Sequence, residues 1–409
     1  MARRPGGRYL LPVIPPGQPT PTSPPMPTTR GLPLVAASLL LAACAIDAPT
    51  APRTGAAART PDDVDATKAV TVMTRNLYLG SDIGPVLGAG SPQALFAGAT
   101  RIWATVQATD FPARAGALAR EIAAANPALV GLQEATLYRM QVPSDQLTAT
   151  PTPATAVRYD FLALLLDSLA ARGLDYRVAS IVQNFDAELP ALVAPGVVGD
   201  VRLTDRDAIL ARGDVATSDA RGGNYVARVP LRVGGAGGPT IVIPRGWTSV
   251  VADVEGRTFR MVNTHLEVAS FAPVNTAQGR ELSALLTGER LPTVLTGDLN
   301  SDADGGSTPA YAELRAHDFQ DAWAQARPGE AGLTCCFGER LDDAMAAFHE
   351  RIDFVLFRDP KLGSARGPFD ALAADVTGDE PGDRTPSGLW PSDHAGVVAT
   401  LRVPNRVLH

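Results

Sequence analysis

Six short apolar runs in this chain carry at one end a residue that can do chemistry, and that pattern narrows the folds open to it. "AVTVMTRNL" alternates and is β-branched from Ala69 to its polar end at Asn76. "NPALVGLQE" closes on Glu134, "FRMVNTHLE" carries His265, and "LPTVLTGDLN" delivers Asp298 and Asn300. "RIDFVLF" holds Asp353, and "WPSDHAG" sets Asp393 and His394 just ahead of the strand pattern "AGVVATLRV". Between these runs lie helical patterns over residues 112–125, with Leu118 and Ile122 four apart, 159–173, about 276–286 and about 309–315. "LDYRVASIV" and "AILAR" read as further strands, and "WTSVVADVEGRTFRMVNTHL" as a hairpin with a tight turn at "EGR". Strands that both alternate with helices and pair as hairpins predict an α/β sandwich with mixed sheets. Residues 82–112 and 184–246 read as long, less regular loops. There is no internal repeat.

The stretch "TGDLNSDADGG", residues 296–306, is open to two readings. Its alternating Asp298, Asn300, Asp302 and Asp304 suggest a calcium loop. An EF-hand needs oxygen ligands at positions 1, 3 and 5, glycine at 6 and a bidentate Glu at 12. Only a start at Asn300 puts Gly305 at position 6, and position 12 is then Tyr311. A start at Asp298 puts Ala303 where the turn needs glycine. Both registers fail. The strand directly before Asp298 favours the rim of an active site, with Asp302 and Asp304 solvating the turn or capping the next helix.

The N-terminal 44 residues differ from the rest. They carry Arg3, Arg4, Arg8 and Arg30 and no acid, and "GLPLVAASLLLAAC" is an apolar run too short to span a bilayer. "LAAC" resembles a bacterial lipobox. The resemblance implies cleavage before Cys44, a lipid on its thiol, and a lipid-anchored protein of the cell envelope, at the outer membrane or cell surface; the alternative is a secreted protein with an ordinary signal. Met26 supplies a conventional start, which would leave residues 1–25 upstream of it. Residues 45–68, rich in Ala, Pro, Thr and Asp, read as a flexible tether. Loss of residues 1–44 moves the formal net charge from −7 to −11 by removing four arginines. Such an acidic body disfavours nonspecific nucleic-acid binding. The remaining cysteines, Cys335 and Cys336, are adjacent. Outside the cytoplasm they would form a vicinal disulfide or stay as thiols, and a soft-metal site has least support because no nearby Cys or His has zinc spacing.

The polar strand ends together make an inventory for metal-assisted phosphate-ester hydrolysis. A hard cation takes a few carboxylate or amide oxygens and keeps waters. A water nucleophile needs a base near neutrality, and that base needs a carboxylate to fix its tautomer. Asp353 inside an apolar run needs a partner to be buried at all. In this order "QE", "NTHLE", "GDLN", "RIDFVLF" and "SDH" resemble the endonuclease/exonuclease/phosphatase superfamily, over about residues 69–404. The resemblance implies an α/β fold, a four-layer α/β/β/α sandwich with two mostly antiparallel or mixed sheets. It implies Glu134 as principal Mg2+ ligand, with Mn2+ or Ca2+ as substitutes, supported by Asn76 and Asp393. It implies His394 as base oriented by Asp353, Asp298 and Asn300 on metal, phosphate or nucleophile, and His265 on the phosphate. The substrate would be a nucleic acid, a phospholipid or a small phosphate ester; no protein partner is inferred. Two other classes compete: a catalytically silent surface-binding module and a calcium-stabilised structural protein. His317, His349 and His409 lie outside any motif.

Overall fold

A computed structural model of the chain describes residues 69–360, 365–366 and 369–406. The expected signal segment with Cys44 and the tether of residues 45–68 lie outside the described residues. The strands are β1 (Ala69–Asn76), β2 (Leu129–Gln133), β3 (Leu137–Gln141), β4 (Ala156–Asp160), β5 (Tyr176–Ala194), β6 (Val197–Arg212), β7 (Ala216–Asn224), β8 (Val229–Arg232) and β9 (Thr240–Ile243). They continue as β10 (Gly246–Val254), β11 (Arg257–His265), β12 (Thr293–Asp298), β13 (Gln320–Asp321), β14 (Asp353–Arg358), β15 (Ala365–Arg366), β16 (Asp370–Thr377), β17 (Gly396–Arg402) and β18 (Asn405–Arg406). The helices are α1 (Gly84–Leu87), α2 (Pro92–Ala108), α3 (Phe111–Ala125), α4 (Phe161–Ala170), α5 (Ala272–Leu286), α6 (Ala310–Ala316) and α7 (Ala322–Ala326).

Two large sheets form. One runs β16-β17-β1-β2-β6-β3-β4, with β5 also paired to β6; the other runs β13-β14-β12-β11-β10-β7. The pairs β1–β2 and β11–β12 are parallel and the rest antiparallel, so both sheets are mixed. Strand alternation sorts the side chains into layers. Val70, Val72, Leu129, Ile209 and Ala211 of the first sheet meet Phe259, Met261, Val294, Val355 and Phe357 of the second in the central core. The opposite face of the first sheet, with Met73, Val130, Leu132 and Leu210, packs under Trp103 of α2, Leu118 and Ile122 of α3 and Leu165 of α4. The outer face of the second, with Val262, Leu295 and Leu356, packs under Leu282 and Leu286 of α5 and Leu314 of α6. This is the expected α/β/β/α sandwich.

The sheets approach closely in the middle. Gln133 Nε2 donates to Asn263 Oδ1 at 2.6 Å, and Asn263 Nδ2 donates to the Leu132 carbonyl at 2.8 Å. A Cβ on Gly131 would lie 2.2 Å from Thr296 Oγ1 and 2.5 Å from Asn263 Oδ1, so only glycine fits there.

Two expectations need correction. Residues 82–112 are not one loop: α2 occupies most of the stretch, started by Ser91, whose Oγ accepts from Ala94 N at 3.1 Å, with Pro in the first turn. Residues 184–246 hold most of the long β5–β6 ribbon, whose inner ends are the expected strands "LDYRVASIV" and "AILAR", together with β7, β8 and β9. The ribbon lacks a continuous apolar face, so its pattern reads as irregular; cross-strand pairs such as Arg202–Asp186 at 2.6 Å hold part of it instead. The "EGR" turn is a two-residue hairpin turn with Glu255 and Gly256 both at positive φ, 52° and 83°. Among the described residues no helix is long and apolar enough to cross a membrane.

Candidate active site

The site lies where strands of both sheets end. On the second sheet, parity and register decide it. His265, Asp298 and Asp353 continue the core-facing rows of β11, β12 and β14, and they are direct neighbours across the three strands: His265 opposite Asp298, and Asp298 opposite Asp353. Gly297 allows this approach, since a Cβ there would sit 2.2 Å from the Thr264 carbonyl oxygen. All three side chains are almost fully buried. From the first sheet, Asn76 ends β1 and Glu134 follows β2 in a left-handed conformation, φ 56°, that breaks the strand's alternation.

His394 precedes β17 and meets this row. Its Nδ1 lies 2.8 Å from Asp353 Oδ2, and its Nε2 is 3.8 Å from Asp298 Oδ2. The buried Arg75, paired with Glu121, donates to the His394 carbonyl and fixes the backbone there. Arg114, also buried, donates to the carbonyls of Leu77 and Pro391 at 2.7 and 2.9 Å and so ties the β1 end to the segment before His394. Asn76 Nδ2 donates to Asp298 Oδ2 at 3.2 Å, and its Oδ1 accepts from Tyr78 N. Asn300 N donates to Asp298 Oδ1 at 2.9 Å, while its side-chain Nδ2 lies 3.2 Å from His265 Nε2. Glu134 Oε2 accepts from Leu79 N at 2.6 Å. Glu134, His265, Asp298, Asn300, Asp393 and His394 all line one cleft of about 700 Å³. Asn76 and Asp353 sit immediately behind it.

The electrostatics are those of crowded buried charge. Burial opposes the charge on His394, but Asp353, Asp393 and Asp298 outweigh it and hold its pKa well above 6.5. Burial, then Arg245 and His394, push His265 well below 6.5. Burial, then Asp393 and Asp205, push Glu134 up to about 8, and burial with Asp353 pushes Asp298 up to about 7. Asp393 is raised by burial.

Three features escape the sequence reading. Arg245 stands with Nη1 3.2 Å from His265 Nδ1 and Nη2 3.3 Å from Glu267 Oε1. Asp205 and Asp207 on β6 share Asn184 as a donor, and Asp205 raises Glu134; the "DRD" alternation ahead of "AILAR" was the available signal. The Cys335–Cys336 pair, which takes the vicinal-disulfide alternative expected from the sequence, lies unexpectedly against His394, its Sγ atoms 3.8 and 4.0 Å from Nε2. Asp302 and Asp304 lie away from these contacts. Asp302 Oδ1 accepts from Arg351 N, Asp304 Oδ1 accepts from Gly306 N, and neither caps α6, whose first residue follows an uncapped Pro309.

The oxygen-donor set suits a hard cation. Glu134 and Asp393 face the cleft with the Asn76 amide behind them, and their mutual repulsion is relieved by a divalent charge. Among the described residues the tight threefold groups of His, Cys and acid donors are Asp298–Asp353–His394 and Cys335–Cys336–His394, and neither contains Glu134 or Asp393. Two carboxylates and an amide, with waters filling the remaining positions, would suit a partly hydrated hard cation rather than a fully caged one.

A model described as the endonuclease/exonuclease/phosphatase family matches residues 102–394, ending on His394 itself. The chain belongs to the endonuclease/exonuclease/phosphatase family. At that level it is a phosphate-ester hydrolase. The match includes every expected site residue except Asn76, which β1 brings beside β2, and Cys44. No curated protein matches the sequence. Solved structures similar to it include a family protein from Bacteroides thetaiotaomicron (15% identity, 82% of this chain and 97% of that one, TM-score 0.48). Another is a family protein from Leptotrichia buccalis C-1013-b (14%, 81% and 99%, 0.45). A third is the mannosyl-6-phosphatase of Bacteroides thetaiotaomicron VPI-5482 (17%, 81% and 99%, 0.46).

Proposed function

We propose that the protein is a Mg2+-dependent hydrolase of phosphate esters in which water is activated by the Asp353–His394 pair. The observation that carries the reading is the 2.8 Å contact of His394 Nδ1 with Asp353, which leaves Nε2 facing the cleft beside Asp298. Asp353 fixes the imidazole, and Nε2 takes the proton of the attacking water. Glu134, Asp393 and Asn76 would hold the cation, which when bound neutralises charge on the phosphate. Asp298, pinned by Asn76 and Asn300, orients the water between His394 and the phosphate. Asn300, His265 and Arg245 receive the charge that builds on phosphate oxygens. A bound phosphate restores to His265 the proton affinity that burial and Arg245 depress.

The cleft wall favours some substrates over others. Asp82, Glu339 and Glu350 line it, which opposes a long polyanion. Ile83 and Leu87 are shared with an adjoining apolar pocket of about 300 Å³ lined by Trp103, Tyr138 and Phe185. This supports a phosphate ester with an apolar organic group over a polynucleotide. The test is a hydrolysis screen in Mg2+ against DNA, RNA, sphingomyelin, lysophospholipid and inositol phosphates. Turnover of none of them, in a protein that binds Mg2+, would refute the reading. Anchoring through Cys44 at the cell envelope is part of the same proposal, since lipid-type substrates would lie in the same plane.

A further inference from the structure

We propose that Cys335 and Cys336, once reduced, form with His394 and Asp298 a tetrahedral site for a soft divalent cation, Zn2+, which the disulfide keeps closed. Only the inhibitory consequence rests on the hydrolase reading; the site itself does not.

Backbone pairing sets the two cysteines beside His394. Cys335 bridges to both Glu350 and His394 as an isolated antiparallel partner. Ala395 N donates to the Thr334 carbonyl and Phe337 N to the Asp393 carbonyl, each at 2.8 Å, so residues 334–337 are stitched to 393–395 on both sides of the pair. Phe337 stacks on the fully buried Trp390 at 4.2 Å between centroids. The chain path therefore holds Cys335 and Cys336 beside His394.

Cys335, Cys336 and His394 already have their ligand atoms within 4.8 Å of one another, and Asp298 stands on the same imidazole nitrogen from the other group that His394 joins. From His394 Nε2 the distances are 3.8 Å to Cys335 Sγ, 4.0 Å to Cys336 Sγ and 3.8 Å to Asp298 Oδ2. Tetrahedral Zn2+ with its usual bond lengths sets its ligands about 3.4–3.8 Å apart, which the distances from Nε2 nearly match; the two sulfurs, once reduction frees them, part by side-chain rotation and Asp298 turns to supply the fourth ligand. Asp353 on Nδ1 supplies the carboxylate behind a ligating imidazole that zinc sites favour. Thiolates select Zn2+ against Mg2+. The sequence hides this site, because the His that completes it stands 58 residues from Cys336.

The chemistry balances with a dithiol as the named reductant. It gives two electrons and two protons to the Cys335–Cys336 bond, which breaks to two thiols while the reductant closes to its own disulfide. Cys336 is exposed and open to attack. Zn2+ then replaces both thiol protons, which leave to solvent, and occupies the Nε2 lone pair that would otherwise accept the proton of water.

Co2+ serves as the optical stand-in for Zn2+. The protein is reduced with a dithiol, desalted without oxygen and titrated with Co2+. The expected result is a thiolate-to-cobalt charge-transfer band saturating at one equivalent, absent from the oxidised protein and from the C335S/C336S variant. In wild type, Zn2+ should also protect both thiols from iodoacetamide, a readout that needs no variant to fold. With Mg2+ saturating, Zn2+ should cut turnover by the reduced enzyme by more than about tenfold and leave the oxidised enzyme within about twofold. Absence of the cobalt band and of thiol protection overturns the site. A band together with undiminished turnover overturns its inhibitory role, and with it His394 as the base. A band in a protein that hydrolyses nothing upholds the site while the hydrolase reading fails.

Discussion

His394 is the residue on which the proposed chemistry turns, and its surroundings give the sign of the pH dependence. A base works deprotonated. Burial alone would lower its pKa, but Asp353, Asp393 and Asp298 hold it well above 6.5, so activity should fall as pH drops through a limb lying above that value. Asp353→Asn removes the largest raising charge and should move the limb to lower pH; saturating Mg2+, which neutralises Asp393, should do the same. His394→Ala should lower turnover by about 10²–10⁴. Because the two side chains act as one unit, the double variant should be little worse than the worse single one. The check is a double-mutant cycle on turnover with a pH profile for each enzyme, and independent multiplication of the two losses would refute the pairing. Glu134 yields a second test. Its carboxyl is pushed up to about 8 by burial, Asp393 and Asp205, so at neutral pH a cation must displace its proton. Apparent Mg2+ affinity should rise by up to about tenfold per pH unit below that value and level off above it. Calorimetry in two buffers of different ionisation enthalpy should show the released proton. Glu134→Gln should lose that proton release and lower turnover by at least about 10²-fold with the fold intact.

At the scale of elements, the site depends on how closely the sheets approach. β2 can lie against β11 and β12 only because position 131 has no side chain. Gly131→Ala would push Thr296 and Asn263 away and disturb the Gln133–Asn263 bond beneath the cleft. The expected loss is about 1–3 kcal/mol of stability, read as a lower urea midpoint at unchanged m-value. Turnover should drop as well, since Thr296 lies two residues before Asp298. An unchanged midpoint would mean that the sheets part more easily than the contacts indicate. The parallel β11–β12 pairing and the antiparallel β12–β14 pairing matter in the same way, because together they set His265, Asp298 and Asp353 side by side.

For the whole molecule, cation binding and anchoring are the properties to test. A cation that binds only the folded cleft should add about 2.7 kcal/mol at a hundredfold excess over its Kd. The thermal midpoint should accordingly rise with Mg2+ and fall with EDTA, and Glu134→Gln should abolish most of the difference. The "LAAC" sequence predicts that the mature protein partitions with membranes through Cys44. Cys44→Ser should release it, and mass spectrometry should find lipid on the mature N-terminal cysteine; an unmodified N-terminus elsewhere would refute the anchor.

The sequence by itself determined the fold class and supplied most of the candidate residues that the folded chain brings to one cleft. Alternating β-branched runs and helical periods dictate mixed sheets under helices, and a buried strand that ends in Asp, Glu or His must place that charge at a strand end, where a partner or solvent can reach it. Failure of the EF-hand count at Tyr311 is likewise a matter of spacing alone. The sequence could not show α2, whose start rests on the Ser91 cap within a Gly- and Pro-rich stretch, nor the part of the β5–β6 ribbon beyond "LDYRVASIV" and "AILAR", whose pairing is cross-strand and leaves no apolar period. Register was also beyond it: a one-residue slip of β12 would turn Asp298 to the opposite face, and only the three-strand pairing fixes it beside His265 and Asp353. Arg245 entered the site, and Cys335 and Cys336 came to lie against His394, through contacts between residues far apart in the chain. Spacing rules for metal sites and catalytic motifs act over a few residues, whereas these groups are joined by strand pairing that only the folded sheets create.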